Sequence, residues 1–171
     1  MTFLLDVNVL IALIDPTHVG HEVAHHWFDI EGKAAWATCP MTENGVIRIV
    51  GNHKYPNTPG STAIVAEIVT QLRALPGHFF WPDDISLVDT DHVDASKVLI
   101  PAQVTDTYLL ALAAAHGGKL ATFDRRLSAK AVKGGRAALH LIGELVRKPR
   151  IGRPAERGRR RIQKAVAKLA G

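Results

Sequence analysis

The chain has 171 residues, enough for one domain with a core of its own. Apolar residues make up 47% and charged residues 22%, the balance of an ordinary globular protein, and one cysteine, Cys39, excludes an internal disulfide. The net charge of +5 is uneven: ten Lys/Arg face a single acid, Glu156, from residue 147 onward, which leaves residues 1–146 at −4. That asymmetry points to a nucleic-acid partner for the tail.

Residues 2–5 read as a short buried strand and residues 7–14 as a helix leaving directly from its end. The apolar run LLDVNVLIAL carries Asp6 and Asn8, lacks a basic start, and soon meets Asp15 and Pro16. It is therefore neither a signal peptide nor a membrane span, and the expectation is a protein of the cytoplasm, which the lone Cys39 also fits. Val19, Val23 and Trp27 share the spacing of one helical face after Pro16. Residues 34–38 read as a second strand, and Thr42 as the N-cap of a helix over 43–50. Asn, Pro and Gly mark 52–61 as a loop, and helical period returns over 62–75. A strand begins near 78 and gives way to acidic turns, with a short helix near 92–99. A Leu/Ala helix over 106–116 ends at Gly117-Gly118, and strands follow at 119–122 and 138–142. Strands alternating with helices predict a parallel α/β sheet.

Four carboxylates stand out on that map. Asp6 ends the first strand, Glu43 follows the second, Asp106 opens the Leu/Ala helix, and Asp124 follows the fourth strand. In an open parallel sheet, the C-terminal strand ends and the helix starts after them share one edge, where ligands bind. Two like charges about 4 Å apart repel by roughly 4 kcal/mol at an effective dielectric of about 20. No Lys or Arg adjoins Asp6, Glu43 or Asp106 in sequence to relieve this. A hard divalent cation such as Mg²⁺ would, and it would also polarise a phosphoryl oxygen and acidify a bound water. Any one of the four acids is explained equally well as a helix cap; their equivalent positions favour a shared site.

The stretches LLDVNVLIAL, MTENGVIRI and VTDTYLLALAAAHGGKLATFDRRL resemble the PIN-domain ribonucleases, specifically the VapC-type toxins of bacterial toxin–antitoxin pairs, over about residues 2–142. The resemblance implies a PIN-like three-layer sandwich, with a central, mostly parallel five-stranded sheet flanked by helices. It implies Mg²⁺- or Mn²⁺-dependent endonucleolytic cleavage of RNA, a cognate VapB-like antitoxin, and a homodimer. Carried onto this chain, it makes Asp6, Glu43, Asp106 and Asp124 the acidic metal site, with Asn8 beside it. Thr42, Thr105 and Thr122 fall where the family often has hydroxyls supporting the acids. The nuclease domain would span residues 1–147, and residues 148–171 form a basic extension the resemblance does not cover.

Other signals weigh less. His18, His21, His25 and His26 share helical spacing, but they read as surface or packing groups rather than zinc ligands. Arg48, Arg125 and Arg126 are candidates for phosphate contact. In the tail, Pro154 could start a helix with Ile162, Val166 and Leu169 on one stripe, and Arg159–Arg161 would add non-specific RNA affinity. Two rival readings stand beside the nuclease. A haloacid-dehalogenase-type phosphatase needs a second Asp where Asn8 stands, and a non-catalytic RNA-binding or interaction domain has no need of all four acids.

Overall fold

A computed structural model describes residues 1–98 and 100–143. Its centre is a five-stranded sheet in the order β3-β2-β1-β4-β5, every neighbouring pair parallel. The strands are β1 (Phe3–Leu5), β2 (Trp36–Thr38), β3 (His78–Phe80), β4 (Lys119–Thr122) and β5 (Leu139–Leu141). The helices are α1 (Val7–Ile14), α2 (His21–Ile30), α3 (Pro40–Val50), α4 (Thr62–Arg73), α5 (Val104–Ala115) and the single turn α6 (Gly135–Ala138). The chain winds outward from β1 through β2 to β3, then returns to place β4 on the other side of β1. The direction of winding therefore reverses between β1 and β4, and that reversal opens a crevice at their C-terminal ends.

Both faces of the sheet are covered at β1, β2 and β4, as expected of parallel strands, while Phe79 and Phe80 of the edge strand β3 are exposed. Leu5, Trp36 and Ala121 point into one core with α1, α2, α3 and α4. Leu4, Ala37 and Leu120 point into the other with α5 and α6, where Leu109, Leu110 and Leu112 are fully buried. Three layers result, with alternate strand residues feeding opposite cores. Among the described residues no helix is long and apolar enough to cross a membrane.

Three local expectations need correction. The stripe Val19, Val23, Trp27 is not the buried face of α2: Val19 is 97% exposed and Val23 42%, while His21, Ala24, His25 and Phe28 are buried with Trp27. The reason is polar. The His21 Nδ1 and His25 Nε2 atoms lie 2.8 and 3.0 Å from the carbonyls of Ala12 and Leu13, which the end of α1 leaves without intrahelical donors. These two histidines pack and cap.

The helix expected over 43–50 starts three residues earlier. Pro40 occupies its first position, where a missing N–H costs nothing, and Cys39 is the N-cap. Thr42 is instead the third helical residue: its hydroxyl accepts from the Cys39 N–H and donates to the Cys39 carbonyl, both at 3.0 Å. The short helix near 92–99 reduces, among the described residues, to a 3₁₀ turn, Ala95–Lys97, capped by Asp94. The basic extension, residues 148–171, lies outside the described residues.

Candidate active site

Asp6 is the first residue beyond β1 and the N-cap of α1, so a strand end and a helix start fix it together. It is buried. Its Oδ1 accepts from the Val7 N–H at 2.6 Å, and its Oδ2 accepts the Thr122 hydroxyl at 2.5 Å. Thr122 is the last residue of β4, and the same hydroxyl oxygen accepts from the Asp124 N–H at 3.0 Å and the Asn8 amide at 3.4 Å. One threonine thus joins Asp6, Asn8 and Asp124. Asp124 is tied down further by the Arg126 N–H, which donates to its Oδ1 at 2.7 Å. Asp106 enters from the first turn of α5.

The electrostatics show that these groups share one space. Burial pushes the Asp6 carboxyl above its ordinary value and the charge of Asp124 adds to this, outweighing hydrogen bonds from Thr122, Val7 and Asn8. Burial raises Asp106 from 3.8 to about 6, helped by the charges of Asp6 and then Asp124. Among the described residues no cation enters the balance on Asp106. Repulsion among carboxylates that no described positive side chain offsets is the condition a bound divalent ion would relieve.

Glu43 behaves differently. Its Oε2 lies 3.2 Å from Arg73 Nη1 at the end of α4, and its Oε1 accepts the Thr38 hydroxyl at 2.6 Å. Thr38 in turn lies 2.8 Å from His78 Nε2. A carboxylate can only accept, so the Thr38 proton points to Glu43 and His78 must donate from Nε2. Burial, with the charge of Arg73, lowers His78 to about 4, so the ring is neutral near pH 7 and carries its proton on that nitrogen. Arg73 also lies over the Phe80 ring, 4.8 Å from its centroid. Glu43 therefore has its own counter-ion, whereas the three aspartates have none among the described residues.

Of the residues singled out in the sequence, the structure brings together Asp6, Asn8, Asp106, Asp124 and Thr122. Arg126 borders them with its side chain exposed, and Arg125 is exposed beside it. Thr105 is exposed in the first turn of α5. Thr42 is spent on the cap of α3, so it does not support an acid, and Arg48 sits in the last turn of that helix, roughly 7.5 Å along the axis from Glu43. Thr38, Arg73 and His78 were missed. Thr38 had a signal, since it ends β2 as Thr122 ends β4; Arg73, thirty residues from Glu43, had none.

Do these residues fit a divalent ion? Among the described residues no group of three His, Cys, Asp or Glu side chains is arranged to hold one as it stands. Yet the Asn8 Oδ1 is buried with no hydrogen-bond partner, a cost of about 1–3 kcal/mol unless something occupies the space before it. An unpartnered carbonyl oxygen on Asn8, whose amide shares Thr122 with Asp6, adds to the aspartates a donor set suited to a hard cation that keeps several of its waters. The set fits.

A family model described as PIN domain matches residues 3–133. The chain belongs to the PIN-domain family. Among curated proteins, it is 42% identical to Ribonuclease VapC44 of Mycobacterium tuberculosis over 134 residues, covering 78% of this chain and 94% of that protein. Ribonuclease VapC39 of the same species is 44% identical over 134 residues, 78% of this chain and 96% of the relative. Ribonuclease VapC38 is 41% identical over 121 residues, 71% of this chain and 84% of the relative. The family match covers β1 to β4 and all four acids. The PIN domain therefore has its acids where the reversal of winding, between β1 and β4, opens the sheet edge.

Proposed function

We propose that this PIN domain is a divalent-metal-dependent endoribonuclease, the toxin half of a toxin–antitoxin pair. The observation that carries the reading is the mutual repulsion of Asp6, Asp106 and Asp124, which no cation among the described residues offsets, together with the buried and unpartnered Asn8 carbonyl oxygen. Similarity to proteins named ribonucleases over most of their length supports RNA as the substrate.

Asp6, Asp106 and Asp124 would hold Mg²⁺ or Mn²⁺, and Glu43, which pairs with Arg73 here, would be the fourth acid of the site. When bound, such an ion supplies Lewis acidity at a phosphoryl oxygen and a water acidic enough to attack phosphorus. The chain's own residues supply the geometry. Thr122 orients Asp6, Asp124 and Asn8 through one hydroxyl. Thr38 and Arg73 hold Glu43, and neutral His78 fixes the direction of the Thr38 proton. Arg125 and Arg126 are available to the phosphates flanking the reacting one. The products are a 5′-phosphate and a 3′-hydroxyl. A VapB-like antitoxin is the partner that blocks the site, and the active form is a homodimer.

The phosphatase reading loses its footing: Asn8 replaces the acid it requires, and the chain belongs to the PIN family. A purely RNA-binding role leaves the electrostatic cost of three opposed aspartates without a use. The test is cleavage of end-labelled RNA by the purified protein with Mg²⁺. EDTA, Asp6→Asn and Asp124→Asn should each abolish cleavage with the circular dichroism spectrum unchanged; full activity in either variant contradicts the assignment.

A further inference from the structure

Beside Asp106 and Asp124 the surface folds into a cavity of ≈ 260 Å³. We propose that it is a nucleobase pocket, which selects the nucleotide next to the cleaved bond; the inference rests on the ribonuclease reading above.

Position comes first. Asp106 and Asp124 line the cavity as well as the acidic cluster, so an occupant of the cavity adjoins whatever phosphate the acids engage. RNA bound in single-stranded form can splay one base outward while its backbone stays in place, and sequence-specific recognition of RNA works mostly this way. The size is smaller than the roughly 300–1,000 Å³ of drug-sized ligand sites, which suits one heterocycle and excludes a base pair.

Chemistry points the same way. Ile100 and Leu127 supply apolar lining against which a ring can pack. Ser128 adds a hydroxyl: its oxygen accepts weakly from the Lys130 N–H at 3.5 Å, which leaves the hydroxyl proton to donate to a base edge. Arg126 stands at the rim, where the next phosphate would pass.

The wall is also anchored to the acids, which a specificity pocket requires. Asp124 accepts the Arg126 N–H on its carboxylate and the Leu127 N–H on its main-chain oxygen, at 2.7 and 3.4 Å. Leu127 leans on the α5 core. A base seated against Leu127 is thus registered to Asp124 through a turn of three residues.

The experiment uses the full chain and synthetic RNA. Cleavage of a randomised RNA oligonucleotide pool with Mg²⁺ identifies a cleaved sequence, and the nucleotides around the scissile bond are then replaced one at a time by abasic ribose. In the wild type, one position adjoining the cleaved bond should lose at least about tenfold in kcat/KM when its base is removed. Ile100→Trp, at a residue 52% exposed and so tolerant of the change, and Leu127→Phe should fill the cavity. Both should cleave the intact RNA less well and cleave intact and abasic RNA at equal rates. An abasic penalty that persists in both folded variants, or no adjoining position that shows one, overturns the pocket while leaving the nuclease in place. Failure of the wild type to cleave any member of the pool would remove the nuclease reading itself, and the pocket with it.

Discussion

Replacing Asp106 by asparagine should make the metal-free protein more stable. The carboxyl of Asp106 is raised from 3.8 to about 6, first by burial and then by Asp6 and Asp124. A displacement of about two units corresponds to roughly 3 kcal/mol against the folded state when the group is ionised. Asp106 is only half-buried and solvent screens it, so about 1 kcal/mol is the expected gain, a rise of about 2–4 °C in Tm for a chain of this size. The pH dependence has a definite sign. Because the folded value lies above the unfolded one, the favourable contribution of the protonated acid is complete below about pH 3.8 and is lost as pH rises through about 6. Asparagine cannot ionise, so its advantage over the wild type should be near zero at pH 4 and full at pH 8. Urea denaturation at both pH values in EDTA measures it. Added Mg²⁺ should stabilise the wild type and erase the difference. A variant no more stable than wild type at pH 8, or equally advantaged at pH 4, would show that its neighbours do not oppose this carboxylate.

Thr122→Val should lower activity and metal affinity about 10–100-fold, since it unties Asp6, Asp124 and Asn8 together, and Thr122→Ser should restore both. Asp15→Ala should cost about 2–3 kcal/mol in urea denaturation, because buried Asp15 accepts from Tyr55, Asn57 and Thr17 and pins the 51–61 loop to the end of α1. Burial alone would raise that carboxyl, but those hydrogen bonds hold it below 3.8, so its contribution is present at neutral pH and the gap to the variant should close as pH falls through the folded value. Truncation after Lys148 removes eight basic residues and one acid; it should weaken RNA binding and flatten its dependence on salt while leaving the rate at saturating RNA unchanged.

How far the sequence speaks depends on whether a feature is local. Helix α1 is legible because its apolar run ends abruptly at Asp15 and Pro16, and strand β4 because it follows the helix stop at Gly117-Gly118. Asp6, Asp106 and Asp124 are legible because topology, not contact, brings strand ends to one edge. Hydrophobic spacing failed on α2 for the opposite reason: its buried face contains His21 and His25, whose polar atoms meet the carbonyls of α1, and a scan for apolar periodicity passes over them. Thr42 was misplaced because the helix was expected to begin at residue 43, whereas Pro40 opens it. The pairing of Glu43 with Arg73 depends on how α4 packs on α3, and nothing in the spacing of those two residues announces it.

The most direct test is a titration of Mn²⁺ into the protein followed by electron paramagnetic resonance of the free ion. Wild type should bind Mn²⁺, Mg²⁺ should compete, and Asp6→Asn combined with Asp124→Asn should lose binding at least about tenfold. Binding that is absent from the wild type, or undiminished in that double variant, would contradict the claim that these aspartates form one cation site.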